Sequence, residues 1–238
     1  MKRWTTPLSF SRFLQQNKNF KGGNVIMKTV FIGGLIAAFL AAGAAQADQC
    51  GPARGQPGSF DYYLMSLSWA PSYCATTSGR ANAQECGPGT SYGFVVHGLW
   101  PQYASGQWPQ CCQAVAAVKP SAVLDRLSRV MIGSSLISHE WEKHGSCVTS
   151  QQDEYFGKID QVVTALGLAP QVPGTGLDRI KVSALKQNWA VPAQSITVQC
   201  KGRKLTEVRI CLDKTLSPMP CPAKEVESDN CPGTVSLH

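Results

Sequence analysis

Charge is scarce in this chain: Asp, Glu, Lys and Arg make up only 16% of its 238 residues. A long coiled coil, which needs dense charge on its flanks, is therefore excluded. No apolar run reaches the ~20 residues of a membrane span. The longest, VFIGGLIAAFLAAG after Thr29, is shorter, so a polytopic membrane protein is excluded as well. Histidine is rare, at four residues, and neither paired C-x-x-C spacings nor an Asp-rich motif occurs. Zinc ribbons and carboxylate metal sites lose their usual donors. Internal repeats and low-complexity linkers are also lacking, which leaves a single domain of mixed composition. Its 22 Gly and 15 Pro point to many turns, and a chain of this length can bury ~70% of its unfolded surface.

Positive charge is concentrated at one end. Residues 1–47 hold Lys2, Arg3, Arg12, Lys18, Lys21 and Lys28 and no acid; subtracting these six from 22 basic groups leaves 16 against 15 acids, a net of +1 over 48–238. Lys28, the apolar run and then Ala45-Gln46-Ala47 read as the three regions of an export signal with a small-x-small cleavage site. The expectation is a signal peptide over 27–47, with 1–26 an over-long gene start or leader extension. A longer leader or an uncleaved anchor is the rival reading. Residues 48–238 would then form one α+β domain.

All ten cysteines lie beyond that site: Cys50, Cys74, Cys86, Cys111, Cys112, Cys147, Cys200, Cys211, Cys221 and Cys231. An even count after an export signal implies up to five disulfides. Adjacent Cys111 and Cys112 would strain the peptide between them if bonded to each other, so each should staple this loop to a different element.

Residues 48–59 read as a tied-down arm. Strands are expected at Phe60–Trp69 and Tyr92–His97, the second broken by Gly98 and stopped by Pro101, with a loop over 70–91 and an irregular segment over 102–119. Helical spacing covers Ser121–Ile132, His139–His144 (with Gly145 as a C-cap glycine), Thr149–Leu166 behind a capping box at Thr149 or Ser150, and Val182–Trp189. Ser195–Gln199 and Leu205–Leu212 read as paired strands, and 214–238 as a stapled tail.

Three of the histidines fall in two blocks, FVVHGLWP and SHEWEKHGSC. The second block fails as a zinc peptidase. That chemistry needs two histidines four apart on a helix, whereas His139 and His144 are five apart and so ~140° apart around the axis. Glu140/His144 and His139/Lys143 do share faces at i,i+4, an arrangement that also decorates ordinary surface helices. With His97 from a separate strand, two imidazoles, a carboxylate and an ammonium make a metal-free acid–base site suited to phosphoryl transfer with an internal nucleophile.

HGLWP and HEWEKHGSC, in this order and some forty residues apart within a cysteine framework, resemble the two active-site signatures of the ribonuclease T2 family. The resemblance covers most of residues 60–213. It implies a central antiparallel sheet packed by several helices and stapled by disulfides. It further implies that His144 takes the ribose 2′-proton, His97 protonates the departing 5′-oxygen, Lys143 and Glu140 steady the phosphorane, His139 holds the phosphate and Trp100 stacks on a base. The products would be 2′,3′-cyclic phosphates, opened more slowly to 3′-phosphates, with no cofactor or metal, single-stranded RNA as the substrate, no obligate protein partner, no membrane association after signal cleavage and a monomeric, secreted or periplasmic product. A bell-shaped, acid-shifted rate profile should follow.

Gln102 stands where some members carry an acid after HGLWP, so low base specificity is expected, with Gln102, Tyr103 and Trp108 as base contacts. Tyr103 and Trp108 could equally be core residues. Cys147 should anchor the catalytic helix to the Cys111/Cys112 loop, while the pairing of Cys200, Cys211, Cys221 and Cys231 stays open among three arrangements. Lys201, Arg203, Lys204 and Arg209, with Arg179, Lys181 and Lys186, are local basic patches or plain solvated surface. Rival readings are a disulfide-rich secreted binding or toxin-like protein on the same fold, and a metal-dependent phosphodiesterase or peptidase.

Overall fold

The computed structural model describes residues 50–167 and 178–238; the leader, the cleavage site and Pro170 lie outside the described residues. All described residues belong to one compact unit, Ala45–His238. Its elements run β1 (Tyr62–Trp69), α1 (Ala70–Cys74), α2 (Thr77–Ala81), α3 (Ala83–Cys86), β2 (Phe94–Gln102), α4 (Ala122–Leu127), α5 (Ser134–Lys143), α6 (Gln152–Ala165), β3 (Arg179–Lys181), α7 (Val182–Gln187), β4 (Ile196–Lys201), β5 (Lys204–Leu212), α8 (Ala223–Val226) and β6 (Thr234–Ser236).

The centre is an antiparallel sheet. β1 pairs with β2 on one side and β5 on the other, and β4 pairs with β5. At its far end β5 meets β6 in a single parallel pair, Lys204 with Ser236, and β3 runs antiparallel to β6. Period-2 alternation divides the sheet's faces. Tyr63, Met65, Leu67 and Trp69 of β1 and Leu205, Val208, Ile210 and Leu212 of β5 enter the main core with Tyr155, Phe156 and Ile159 of α6. Tyr62, Leu64 and Cys211 form a second small cluster against which Trp100 packs.

β2 departs from expectation in an informative way. It continues through Gly98 and Pro101 to Gln102 instead of ending at His97. Proline is tolerated because β2 is the outermost strand of its side of the sheet, where a missing N–H breaks no ladder bond. Ser66 pairs with Gly98 and the next residue, Leu67, with Val96, so His97 is left without a partner in β1: it is the extra residue of a β-bulge.

Other boundaries also shift. The expected loop 70–91 holds three short helices, α1 to α3, closed by the Cys74–Cys86 disulfide. α4 stops at Leu127 rather than Ile132, although Val130, Met131 and Ile132 stay buried. α5 begins at Ser134, five residues before His139, and ends at Lys143; His144 is its C-cap residue, and a short 3-10 turn, Gly145–Cys147, follows. Neither expected capping box forms at α6, whose N-cap is Gln151; the Thr149 hydroxyl instead donates to Glu154 at 2.7 Å and accepts from the Gln151 N–H. The tail holds α8 and β6, and β3 had no counterpart in the sequence reading.

Five disulfides use every cysteine: Cys50–Cys111, Cys74–Cys86, Cys112–Cys147, Cys200–Cys231 and Cys211–Cys221. The vicinal pair does staple two different elements. Cys111 lies in the left-handed region, at φ 56°, and ties the N-terminal arm, while Cys112 ties the end of α5. A backbone bridge between Arg54 and Gln110 and the Gly58 N–H donating to the Cys147 carbonyl fasten the arm further.

Candidate active site

The bulge in β2 and the C-terminal half of α5 bring the two sequence blocks together. His97 Nε2 stands 3.5 Å from Glu140 Oε1, and the Trp100 indole N–H donates to Glu140 Oε2 at 2.8 Å. The His144 ring stacks on Trp100 with centroids 5.4 Å apart, and His97 meets the same indole edge-on at 5.0 Å. Lys143 and His139 line the same cavity, of about 340 Å3. The two catalytic-type imidazoles thus reach one space from separate elements, packed on one aromatic ring.

Two glycines in the signature blocks are explained by close approach. A Cβ on Gly98 would lie 1.9 Å from Glu140 Oε2, so only glycine lets α5 press its carboxylate onto β2. A Cβ on Gly145 would lie 2.3 Å from the Trp141 ring. Gly145 is therefore a packing glycine; it does not adopt the left-handed C-cap conformation expected of it. Behind the site, the Trp141 N–H donates to the Ala116 carbonyl at 2.9 Å, tying α5 to the irregular segment after β2, and the buried Tyr155 hydroxyl donates to the Leu99 carbonyl at 3.0 Å, tying α6 to β2. Ser146 accepts from the Cys112 N–H and so clamps the disulfide loop.

Electrostatics differ sharply between the two imidazoles. Burial, then the positive charges of Lys143, His97 and His139, hold His144 well below the ordinary 6.5, and its Nδ1 is buried without a hydrogen-bond partner. Burial also works against charging His97, but the Glu207 and Glu140 carboxylates outweigh it and raise its pKa. His139 is lowered by burial and by Lys143 and His97. Burial pushes Glu140 up to about 7 against the opposing pull of His97 and the Trp100 bond.

Glu207 was missed by sequence reasoning, and Arg209 was read only as a surface patch. Period-2 alternation places both on the site face of β5, opposite Ser68 and Ser66 of β1. Glu207 Oε2 lies 3.8 Å from His97 Nδ1, with the Ser68 hydroxyl 3.5 Å from the same nitrogen. Arg209 pairs with Glu207 and, at 3.5 Å, with Glu225, and its guanidinium stands 5.6 Å over the Trp100 ring. Despite its burial, Glu207 is held below the usual carboxylate range by His97 and Arg209. An alternating strand beside a histidine strand is the signal that could have found them.

The expected base contacts divide. Gln102 and Trp108 line the cavity, Gln102 buried and Trp108 exposed at the rim beneath the Arg54 guanidinium. Tyr103 packs against the main core and is not part of the cavity lining. Trp100 also lines the cavity, with the His144 ring and the Arg209 guanidinium packed against it. Lys201, Arg203 and Lys204 lie on the exposed β4–β5 turn. Among the described residues no cluster of three His, Cys, Asp or Glu is placed to hold a metal.

The sequence model of the Ribonuclease T2 family matches residues 60–221. The chain belongs to that family. It is 34% identical over 187 residues to a protein of Aeromonas hydrophila named "Ribonuclease", a match covering 68% of this chain and 76% of that one. Against a "Probable ribonuclease" of Haemophilus influenzae it is 30% identical over 175 residues, 69% of this chain and 62% of the relative. The chain thus spans less than two thirds of the Haemophilus protein. Among solved structures, the RNase-related protein from Calystegia sepium superposes with a TM-score of 0.52 at 27% identity, covering 77% of this chain and 98% of that one. The T2 fold, with its central sheet, flanking helices and disulfides, is thereby shown.

Proposed function

We propose that this protein is a metal-independent endoribonuclease that cleaves single-stranded RNA by transesterification, releasing 2′,3′-cyclic phosphates and opening them more slowly to 3′-phosphates. The observation that carries this reading is the convergence of His97 and His144 on one cavity around Trp100.

The ribose 2′-oxygen sits beside the phosphorus in RNA itself, so the enzyme need not import a nucleophile. It has to move two protons and neutralise charge on the phosphoryl oxygens. His144, whose surroundings disfavour its charged form, is suited to take the 2′-proton. The oxygen attacks phosphorus, the P–O5′ bond breaks, and His97, whose surroundings favour the imidazolium, gives its proton to the departing 5′-oxygen. In the second step the roles reverse: His97 deprotonates water and His144 returns the proton to the 2′-oxygen. Lys143 supplies a fixed positive charge at the phosphate. Glu140, with a pKa near 7, holds His97 and Trp100 and can share a proton with a phosphoryl oxygen. His139 completes the phosphate side of the cavity.

Gln102 and Trp108 support a broad choice of base in this cavity, since an amide and an indole face discriminate weakly. Five disulfides and the family support a secreted type of protein. Cleavage after Ala47, release to periplasm or medium, and a monomeric state complete the proposal. The decisive assay incubates the 48–238 protein with single-stranded RNA and with its fully 2′-O-methylated counterpart. Only the former should be cut, with cyclic phosphate ends; robust cleavage of the methylated strand would overturn the chemistry.

A further inference from the structure

Glu225 is a buried carboxylate that the proposed chemistry leaves unused. It sits on α8, in a segment hung between two disulfides: Cys211–Cys221 fastens one end to β5, and Cys200–Cys231 fastens the other to β4. The Cys221 N–H also donates to the Gln194 carbonyl at 2.9 Å. Lys224, Glu225 and Ser228 thereby become part of the lining of the catalytic cavity.

Thr197 of β4 and Arg209 of β5 are register partners, and both reach the same oxygen of Glu225. The Thr197 hydroxyl donates to Glu225 Oε1 at 2.7 Å, the Ser228 hydroxyl donates to it at 3.2 Å, and Arg209 Nη1 stands 3.5 Å away. Arg209 gives its Nε–H to Glu207 Oε1, which leaves Glu207 Oε2 facing His97 Nδ1 at 3.8 Å. Charges therefore alternate along one chain of contacts from the tail to the catalytic histidine: Glu225, Arg209, Glu207, His97.

An arginine fork favours both oxygens of a carboxylate at once. Here the fork is divided, with Nε on Glu207 and Nη1 beside Glu225, so Glu207 gives Arg209 one oxygen and keeps the other for the imidazole. A guanidinium held by Glu207 alone would be free to take both. Its charge would also be balanced by one carboxylate fewer, and a nearby positive charge disfavours an imidazolium. Arg209 already acts on His97 in that direction. His97 faces Glu140 and His139 of α5, His144 at its end and Glu85 of α3 as well, and Lys143 lines the same cavity. Tyr62, which faces Arg209 and Glu225 from β1, is kept neutral by burial.

We infer that Glu225 is a positioning residue of the active site: by holding one arm of Arg209 it keeps Glu207 turned to His97, and so keeps the general acid charged. This rests on the ribonuclease reading above, in which His97 protonates the departing 5′-oxygen.

The test compares the wild type with Glu225→Gln, whose amide oxygen still accepts from Thr197 and Ser228 while the charge is lost. The His97 ring is titrated by proton NMR, its signal assigned by its absence in His97→Ala. Its midpoint should fall by about 0.5 pH unit or more in Glu225→Gln. On RNA, kcat/KM should drop about threefold above the alkaline midpoint while the neutral plateau holds. In an Arg209→Gln background the same substitution should move the midpoint by less than about 0.2 pH unit, because the intermediary is gone. Dispersed spectra establish that each variant is folded, and Arg209→Met serves as the background where Arg209→Gln does not fold. An unmoved midpoint in Glu225→Gln overturns the proposal, as does a fall that persists at full size without Arg209, or a loss of kcat/KM equal at every pH. The titration needs no substrate, so a failure to cleave RNA would count against the ribonuclease reading and leave the titration to judge the Glu225 chain by itself.

Discussion

His97 and His144 are the same side chain set to opposite charge states by what surrounds them. Transesterification needs His144 neutral and His97 protonated, so kcat/KM should rise with pH through the depressed pKa of His144 and fall through the raised pKa of His97. The profile is therefore a broad bell whose acid limb lies well below 6.5 and whose alkaline limb lies above it; a rate still climbing at pH 9 would contradict the assignment. Glu207 gives that prediction a sharper edge. Its carboxylate favours the His97 imidazolium, so Glu207→Gln should move the alkaline limb to lower pH and leave the acid limb in place. A merely structural role for Glu207 would lower the whole curve without moving either limb. Alanine at either histidine removes a proton-transfer group and should cost about 10²- to 10⁴-fold in kcat/KM on RNA.

At the scale of elements, the site depends on a strand and a helix pressed closer than ordinary side chains permit. The sequence made the chemistry of that contact legible and its geometry only partly so. HGLWP and HEWEKHGSC named His97, Glu140, Lys143 and His144, because signature residues are local in sequence. The bulge at His97, the run of β2 through Pro101 and the early start of α5 depend on partners in β1 and β2 that local periodicity does not report. Glu207 escaped for the same reason: nothing nearby in sequence says that β5 faces His97 across β1. Tethering of α5 follows the same logic of distant partners. The Cys112–Cys147 bond closes a separation of 35 residues at the helix's C-terminal end. On the chain-entropy account its removal costs about 4 kcal/mol, which corresponds to a fall of roughly 10 °C in Tm for a domain of this size. Cys112→Ser/Cys147→Ser should show that fall in calorimetry, together with a loss of activity below the new Tm as His144 loses its fixed position.

Across the whole molecule, the basic excess belongs to residues 1–47, and residues 48–238 carry 16 basic against 15 acidic groups. Cations that line the site are internally committed: Arg209 to Glu207 and Glu225, and Lys224 to Glu227 at 2.7 Å. A protein that holds RNA by many phosphate contacts releases one condensed counterion for each, and its affinity falls steeply with salt. Of the three cations that line the catalytic cavity, Arg209 and Lys224 are paired with carboxylates, and Lys143 stands at the reacting phosphate without an ion pair among the described residues. A plot of log kcat/KM on single-stranded RNA against log salt should therefore have a shallow slope, of about −1 to −2 on the ~0.7 per neutralised phosphate of single strands. A slope near −5 would mean an extended basic track along the RNA, and binding spread over the surface instead of the cavity that joins His97 and His144.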